Sequence, residues 1–289
     1  MQGNCSAVNF MKGLLVVNGG LLTPKFTEIA QLWKQAFARG EIASDERDNI
    51  SLAAEDDAFF SHYDFCLFYD KDVLLCRRIE GAGVRCFNSA SAIAVCDDKC
   101  ATSYALSAAG IPVPKHVFSP KLFFGQLPDA FLRRVGERLG YPVVIKAAFG
   151  SFGEQISLAR DEEELLSFAP KIGAQSVIFE EFLPHEWDVR VYVVGDCAVS
   201  AMKRINPKGD FRSNATLGAA LERYEPSEEE KNLAVRASRA VGADFSGVDI
   251  LGGKVLEVNS NAHFKNLLDL NGYSYADACV RYIKGELNK

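Results

Sequence analysis

Three residues whose side chains carry oxygen atoms lie close together near the end of the sequence: Asp249, Glu257 and Asn259. They belong to two apolar runs separated by Gly252-Gly253, a pattern that is typical of a β-hairpin. If Asp249 pairs with Glu257, the acids and the amide share one face of the hairpin. Like charges placed opposite each other destabilise a sheet, and a divalent cation with oxygen ligands would relieve that repulsion. Two interpretations remain at this point: a metal site, or an amphipathic hairpin with one solvated face.

The same pairing makes predictions about the rest of the hairpin. It implies a three-residue loop, Gly252-Gly253-Lys254. It also places Val255 on the face of the carboxylates and Leu256 on the opposite, apolar face, because side chains alternate along a strand.

A second candidate for chemistry is a lysine, Lys146, which ends a buried strand and precedes the glycine-containing loop 147–155. Glycines let a backbone approach a ligand closely, and a lysine beside such a loop suits phosphate binding. The loop lacks the GxxxxGK[ST] pattern, so a plain turn with an exposed lysine stays open as an alternative. Gly19-Gly20 lacks the GxGxxG spacing and does not favour a dinucleotide site.

The elements that must position these residues begin with an alternation of strands and helices. Apolar runs at 12–18, 65–69 and 84–87 predict strands, and residues 24–39 have helical periodicity, which together indicate a small parallel α/β unit. Asp97 or Asp98 can cap a helix that ends before Gly110. The sequence Ile111-Pro112-Val113-Pro114 cannot continue that helix and suggests a domain boundary.

The remaining elements are predicted from the same kinds of pattern. Strands are expected at 142–146, 176–183, 188–194 and 197–202, helices at 127–139, 228–241 and 273–285, and a polar loop at 206–218.

Composition limits the possible classes of function. The chain has 289 residues, of which 48% are hydrophobic, and a net charge of −6, so two or three subdomains are expected and a general surface for nucleic acid is not. No apolar run approaches the ~20 residues of a membrane span, and residues 1–10 do not resemble a signal peptide. The eight cysteines form no CxxC pair. We therefore expect free thiols and a reducing, cytoplasmic location.

The order of the motifs resembles that of the ATP-grasp carboxylate–amine ligases, and among them the RimK-type glutamate ligases. The similarity covers residues from about 12 to 285. It rests on these segments: Gly83–Ser89, Asp98-Lys99, Ala109–Pro114, Val144–Lys146, Glu181-Phe182, Asp188–Arg190, Gly209–Asn214, Gly247–Ile250 and Glu257–Asn259.

The resemblance implies an α/β (α+β) fold of the ATP-grasp type. It would comprise an N-terminal, Rossmann-like pre-ATP-grasp domain at 11–97 and two α+β lobes that clasp ATP. The central lobe would span 98–180, and the C-terminal lobe, with the metal-binding hairpin, would span 181–289.

The resemblance also implies roles for residues around the nucleotide phosphates. Lys99 and Lys146 match the lysines that hold the phosphates of ATP. Gly150, Ser151 and Gly153 match the loop that closes over them.

Further matches concern the nucleoside, the transferred phosphoryl group and the metal. Glu181 and Phe182 match the segment whose backbone reads the adenine edge, and Asp188 matches a position that contacts the nucleoside. Two magnesium ions are expected, with Glu257 bridging them, and Mn²⁺ is an alternative ion. The implied catalytic residues are Arg212 and Asn214, with Ser213 between them, and the implied metal ligands are Asp249, Glu257 and Asn259.

The implied reaction joins a carboxylate to an amine. ATP phosphorylates the carboxylate, the amine attacks the acyl phosphate, and an amide, ADP and phosphate are formed. The expected partners are ATP, a carboxylate substrate and an amine acceptor, which is an amino acid, a peptide or a protein tail. The ligase is expected to add glutamate or a similar amino acid to a protein, peptide or small-molecule acceptor. We expect neither nucleic acid nor a membrane as a partner. We expect the protein to form a homodimer or a homotetramer.

The sequence departs from the family after Asn259. RimK-type chains usually continue with Ala-Ser-Pro-Gly, whereas this chain continues with Ser260-Asn261-Ala262-His263. A related ligase of a cofactor or natural-product pathway, with another substrate, is therefore an alternative. An ATP-binding module without catalysis is the alternative from a different class.

Overall fold

The computed structural model describes residues 11–21, 23–150, 155–206 and 219–289. The chain divides into two compact units, of which one comprises the chain up to Ser91 together with His263–Lys289, and the other Ala92–Ala262. The two units group the chain differently from the three predicted domains. Five predicted site residues lie outside the described ranges: Ser151, Gly153, Arg212, Ser213 and Asn214.

The first unit contains a four-stranded sheet with the order β2-β1-β3-β4, in which all neighbours are parallel. The predicted parallel α/β unit is therefore confirmed. Its N-terminal elements are β1 (Lys12–Val17), α1 (Pro24–Arg39), β2 (Ala43–Asp48), α2 (Asn49–Ala53), α3 (Asp57–Phe60), β3 (Phe65–Phe68), α4 (Val73–Gly81) and β4 (Arg85–Phe87). Most of the next helix, α5 (Ala90–Asp97), belongs to the second unit.

The edge strand β2 was not predicted. Its sequence, ASDERD, has neither alternation nor an apolar run, and none of its side chains is fully buried. The strand forms because its backbone pairs with β1 over six residues, from Lys12 opposite Ala43 to Val17 opposite Asp48. A charged edge strand of this kind also discourages pairing with other chains.

The second unit begins with a four-stranded sheet of order β5-β8-β6-β7, covered on one face by helices. Val143, Ile145 and Phe179 face the helices and form a core with Leu132 and Leu165. Because side chains alternate, Lys146 and Glu180 share the opposite face. The elements are α6 (Lys99–Ala108), β5 (His116–Phe118), α7 (Asp129–Leu139), β6 (Val143–Ala147), β7 (Ile156–Ala159), α8 (Glu162–Ser167), α9 (Ala169–Ile172) and β8 (Val177–Glu181).

The same unit contains a five-stranded antiparallel sheet of order β11-β10-β9-β12-β13. Alternate residues such as Val189, Val191 and Val248 pack with Leu233 and Ala237 in one core. The polar residues between them lie on the opposite face of the sheet. The elements are β9 (Trp187–Val194), β10 (Cys197–Ile205), β11 (Ala220–Arg223), α10 (Glu228–Ala240), β12 (Phe245–Leu251) and β13 (Lys254–Asn259).

The chain then returns to the first unit through α11 (Lys265–Asn271) and α12 (Tyr275–Leu287). Helix α12 packs on α1, and Arg39 of α1 forms an ion pair of 2.7 Å with Asp277. The ring of Trp33 meets that of Phe264 edge-on at 5.0 Å. These contacts explain why the closing segment belongs to the first unit.

No described helix combines the length and the apolar character that crossing a bilayer requires.

Candidate active site

The hairpin β12–β13 has the pairing that the distribution of polar residues predicts. Asp249 lies opposite Glu257, and Gly247 opposite Asn259. The three oxygen-bearing side chains therefore share one face, while Val248 and Val258 pack into the core on the other. The register prediction is confirmed for three pairs: Asp249 with Glu257, Val248 with Val258, and Gly247 with Asn259.

The turn of the hairpin differs from the prediction. Leu251 pairs with Lys254, so the loop has two residues, Gly252-Gly253, whose φ values are +54° and +76°. Positive φ at both positions is typical of the tight turns that suit the twist of a hairpin. The pairing shifts by one residue between Asp249 and Ile250, and this bulge accommodates Leu256. As a result Val255 lies in the core, opposite to its predicted face.

The neighbouring strand β9 brings an arginine to the carboxylate of Asp249. Arg190 lies directly opposite Asp249 in the pairing of β9 with β12. Its Nε donates to Oδ1 at 2.6 Å and one terminal nitrogen donates to Oδ2 at 2.7 Å. Gly247 leaves room for this side chain, because a Cβ there would lie 3.3 Å from Cδ of Arg190. Arg190 thus forms hydrogen bonds with both carboxylate oxygens of Asp249.

A second arginine, Arg204 of β10, connects Asp249 with Asp188. Its Nε donates to Oδ1 of Asp188 at 2.6 Å, and its Nη2 donates to Oδ2 of Asp188 at 2.9 Å. The same Nη2 lies 2.9 Å from Oδ2 of Asp249. Asp188 is only 2% exposed. Its carboxylate is therefore directed at Arg204, whereas the resemblance assigns it to the nucleoside.

The two arginines determine the protonation of Asp249. Burial raises the pKa of this carboxyl, but the charges and hydrogen bonds of Arg190 and Arg204 outweigh burial, and the net shift is downward. Burial raises the pKa of the adjacent Tyr192 to about 12, so its hydroxyl stays protonated at neutral pH. The cluster therefore contains two carboxylates and two guanidinium groups, whose charges cancel.

Glu257 and Asn259 differ from Asp249 in having unsatisfied polar groups. Within the described residues, the carboxylate of Glu257 has no hydrogen bond or ion pair. Nδ2 of Asn259 is buried and also has no partner there. Magnesium prefers hard oxygen ligands, which Glu257, Asn259 and Asp249 supply. The donor set therefore fits a magnesium ion, which would supply positive charge to the phosphates of a bound nucleotide.

Lys146 lies on the face of the β5-β8-β6-β7 sheet that does not pack on the helices of its core. Its Nζ forms an ion pair of 2.5 Å with Glu180, whose side chain is 5% exposed. The two residues lie on adjacent strands, β6 and β8. The sequence analysis did not single out Glu180, which lies one residue before the predicted Glu181.

Lys99 contacts the glycine loop that follows β6. Its Nζ donates to the carbonyl of Gly150 at 2.8 Å, and its backbone N–H donates to Ala148 at 2.9 Å. Asp98 caps the helix in which Lys99 is the first residue, as predicted. Gly150 has a φ of +154°, a backbone conformation that residues with a side chain rarely adopt. A glycine is therefore favoured at the start of this loop.

Glu181 and Phe182 lie where β8 ends. Oε1 of Glu181 accepts from Lys254 at 2.5 Å and from the backbone N–H of Lys115 at 2.8 Å. Burial raises the pKa of Glu181, but these hydrogen bonds overcome that effect and the net shift is downward. The backbone N–H of Glu181 donates to Lys115, and that of Phe182 donates to Pro142. Both amide hydrogens are thus engaged within the protein.

The family model described as a RimK-like ATP-grasp domain matches residues 96–283. The chain belongs to this family. The expected ATP-grasp fold of helices and sheets is thereby confirmed, and so is the expected class of reaction, the ATP-dependent joining of a carboxylate to an amine. Proteins of this family use ATP together with magnesium.

A curated relative supports the assignment to the RimK-like ATP-grasp family, and two solved structures share the fold of this chain. A probable alpha-L-glutamate ligase of Haemophilus influenzae is 31% identical over 72% of this chain and 69% of its own length. The RimK domain ATP-grasp protein of Sphaerobacter thermophilus has a TM-score of 0.72 at 19% identity, covering 94% of this chain and 98% of its own. For the D-alanine–D-alanine ligase of Bacillus anthracis the TM-score is 0.72 at 16% identity, covering 96% and 98%.

Sequence reasoning missed the two arginines that bind Asp249 in this RimK-like chain. The alternation of Asp188, Arg190 and Tyr192 along β9 was visible in the sequence. The position of Arg204 was not, because it depends on a bulge in β10 between Ala198 and Ser200. Two further basic residues do not contact Asp249. Arg78 pairs with Asp57, and the ammonium of Lys203 lies 4.7 Å from the centre of the Trp187 ring.

The described cysteines are free, as expected, and most are buried. The ligand atoms of Cys76, Glu80 and Cys86 lie within 4.8 Å of one another. The hydrogen bond between the two thiols and their burial raise the pKa of Cys76, and a hydrogen bond with Cys66 raises that of Cys86. The raised pKa values favour the protonated form of both thiols.

Proposed function

We propose that this ligase adds glutamate, or a similar amino acid, to an acceptor, which is a protein, a peptide or a small molecule. The observation that carries the proposal is Glu257, a carboxylate without a partner in the described part of the chain, beside Asp249 on the polar face of the sheet. The name of the Haemophilus relative supports glutamate.

The proposed reaction has two steps. An oxygen of the substrate carboxylate attacks the γ-phosphorus of ATP, which gives an acyl phosphate and ADP. The acceptor amine then attacks the acyl carbon, the bond from carbon to the phosphate oxygen breaks, and an amide, phosphate and a proton are released. Such transfers depend on positioning and on neutralisation of charge more than on covalent help from the protein.

We assign residues to these steps as follows. Asp249, Glu257 and Asn259 would hold two magnesium ions, for which Mn²⁺ could substitute, and the ions would neutralise charge on the phosphates of the nucleotide. Lys99 and Lys146 neutralise the phosphates, for which each must exchange its present contact, Gly150 or Glu180, for a phosphate oxygen.

The remaining assignments come from the family resemblance. Glu181, Phe182 and Asp188 belong to the nucleoside end of the site. Gly150, Ser151 and Gly153 close over the phosphates. Charge on the transferring group is stabilised by Arg212, Ser213 and Asn214.

The segment after Asn259 favours a second candidate, a related ligase whose carboxylate substrate is not glutamate. Ser260 and Ala262 are both buried, at 8% and 4% exposure. They stand where the family usually has Ala-Ser-Pro-Gly, so this chain has its own contacts at that position.

Phosphate release tests the proposal. The enzyme is supplied with ATP and magnesium and with pairs drawn from a panel of amino acids and acceptor amines, and products are identified by mass spectrometry. We expect release that requires both glutamate and an acceptor. Release with another carboxylate supports the second candidate, and nucleotide binding without release for any pair indicates a binding module that has lost catalysis.

We further propose that the protein works in the cytoplasm as a dimer or tetramer. Light scattering on the purified protein measures the second point, and a monomeric mass would contradict it.

A further inference from the structure

Helix α4 and strand β4 bring two thiols and a carboxylate together in the first unit. Cys76 and Glu80 lie four residues apart on α4, so their side chains leave the same face of the helix. Cys86 lies on β4. The two Sγ atoms and a carboxylate oxygen of Glu80 lie within 4.8 Å of one another. None of these three residues belongs to the proposed ligase site.

The spacing of the three ligand atoms suits a zinc ion. In a tetrahedral site, zinc binds thiolate sulfur at about 2.3 Å and carboxylate oxygen at about 2.0–2.2 Å, so neighbouring ligand atoms are about 3.3–3.8 Å apart. The observed separations do not exceed 4.8 Å, and movements of about 1 Å would bring the three atoms to these positions. Thiolate ligands favour zinc, whereas magnesium prefers oxygen.

The hydrogen bonds of these groups leave them available to an ion. Sγ of Cys76 lies 3.9 Å from the carbonyl oxygen of Asn88, and Sγ of Cys86 lies 3.9 Å from that of Cys76. These contacts are long and a thiol is a weak donor, so loss of the protons sacrifices little hydrogen bonding. The carboxylate of Glu80 has one hydrogen bond within the described residues, in which Oε1 accepts from the backbone N–H of Ala90 at 2.9 Å. Oε2 is left for a ligand.

Burial determines which charge state this group favours. Cys76 is fully buried and Cys86 is 3% exposed. Hydrogen bonds between thiols, together with burial, raise the pKa of both residues, so a thiolate alone is disfavoured. A bound cation reverses this preference, because a coordinated thiol loses its proton outright. Two thiolates cancel the charge of Zn²⁺, and the one remaining negative charge belongs to Glu80, the half-buried member of the group.

We propose that Cys76, Glu80 and Cys86 form a zinc-binding site that joins α4 to β4. Three protein ligands leave the fourth position of the tetrahedron to water. Cys66 on β3 is hydrogen-bonded to Cys86 but lies outside the group of three, so it is not a ligand. The site goes beyond the proposed function and does not depend on it.

Cobalt is the probe for this site, because a thiolate bound to Co²⁺ gives a charge-transfer absorption that oxygen ligands do not give. The full-length protein is freed of metal with EDTA and titrated with Co²⁺ and then with Zn²⁺. We expect one Co²⁺ per chain with this absorption, which Zn²⁺ then abolishes. Zn²⁺ should also raise the melting temperature, since an ion that binds the folded state stabilises it. Co²⁺ bound at Asp249 and Glu257 would not contribute to the absorption.

Variants of the three ligands and of two other cysteines make the test specific. Cys76→Ser and Cys86→Ser should lose the absorption at a Co²⁺ concentration that saturates the wild type. Their affinity should fall by more than about 100-fold, because even the groups that orient metal ligands change affinity by about 10–100-fold when mutated. Glu80→Gln should weaken binding and keep the absorption, since both thiolates remain. Cys66→Ser, which removes another buried thiol, and Cys197→Ser, which removes an exposed one, are the matched controls and should change neither property.

Circular dichroism shows whether each variant folds. If the serine variants at positions 76 and 86 do not fold, Glu80→Gln carries the test, because its side chain is only half-buried. The inference is overturned by a wild-type protein without the absorption, by Glu80→Gln that binds Co²⁺ as tightly as the wild type, or by loss of the absorption in a folded Cys66→Ser or Cys197→Ser variant. None of these results bears on the proposed ligase function, which is tested by phosphate release with magnesium.

Discussion

Glu257 is the residue on which the proposed magnesium site depends most. It is partly buried on the polar face of β13 and forms no hydrogen bond or ion pair with a described group, although the charge of Arg190 attracts it. A carboxylate in such a position repels Asp249, its cross-strand neighbour, unless a cation lies between them. Asp249, in contrast, is already bound by two arginines. Two acids in adjacent positions therefore have different electrostatic environments.

Replacement of Glu257 by alanine should reduce turnover by about 100-fold or more, because a direct metal ligand is lost. The fold should be retained, since no hydrogen bond or ion pair of the described chain is removed. Turnover is measured by phosphate release and folding by circular dichroism. Glu222→Ala, on β11 opposite Lys203, is the control. Activity near wild type in Glu257→Ala would show that the metal assignment is wrong.

The lowered pKa of Glu181 predicts that the stability of the fold depends on pH. Its pKa is lowered in the folded protein from an ordinary value of 4.5. A lowered pKa stabilises the fold above the unfolded-state value, and this contribution is lost as the pH falls through the folded-state value. Glu181→Gln should therefore cost about 1–2 kcal/mol at pH 7, and the difference from wild type should shrink below pH 4.5.

Urea unfolding of both proteins between pH 7 and pH 4 measures this difference. Glu163→Gln provides the control, since Glu163 is exposed on α8. A difference between wild type and Glu181→Gln that grows as the pH falls would contradict the assigned direction of the shift.

At the scale of elements, two β-bulges decide which side chains reach the polar face of the five-stranded sheet. In β10, the register set by Cys197 opposite Val194 would place Arg204 opposite Trp187 if it continued unbroken. The bulge shifts the pairing by one residue and places Arg204 opposite Asp188. The bulge in β13 acts in the same way, because it lets a two-residue turn coexist with Asp249 opposite Glu257.

Gly247 allows these strands and the segment that follows them to pack closely. A Cβ at this position would lie 2.7 Å from Cβ of Ala262 and would crowd Arg190. Gly247→Ala should therefore cost about 1–3 kcal/mol of stability, and turnover should fall because Arg190 is displaced. Gly285→Ala is matched in chemistry but meets nothing within 4 Å, and in helix α12 it should add up to about 1 kcal/mol.

Thermal unfolding compares the two variants. Equal effects of Gly247→Ala and Gly285→Ala would show that the close approach at Gly247 does not limit the packing.

At the scale of the whole molecule, the chain forms two units, and its last helices belong to the first of them. The first unit is therefore discontinuous in sequence, because residues 92–262 are inserted between its two parts. The proposed magnesium ligands and Lys146 all lie in the second unit. A substitution that damages the core of one unit should accordingly destabilise that unit first.

Ile283 of α12 provides the test, as its side chain is fully buried. Ile283→Ala should destabilise the first unit by about 2–5 kcal/mol. Hydrogen exchange should accelerate in β1 and β3, while β9 and β12 keep their protection. Val258→Ala, in the second unit, should show the reverse. Equal acceleration in both sheets would argue against the division into two units.

The sequence by itself determined the polar face of the hairpin, since only one register separates Asp249 and Glu257 from the aliphatic residues. It also determined the family, through the order of motifs from Asp98-Lys99 to Glu257–Asn259, and it narrowed the cap of α6 to Asp97 or Asp98. These features are local or depend on strand periodicity, which a single sequence displays.

Only the tertiary structure decided which groups these residues meet. Three contacts join residues that lie far apart in sequence or whose register depends on a bulge. They are the contacts of Asp188 with Arg204, of Lys146 with Glu180, and of α12 with α1. The polar strand β2 likewise forms because its backbone pairs with that of β1. Contacts of this kind arise from packing between elements, and they cannot be read from the periodicity of residues in the sequence. For this reason Asp188, which by resemblance contacts the nucleoside, is in the fold a buried partner of an arginine.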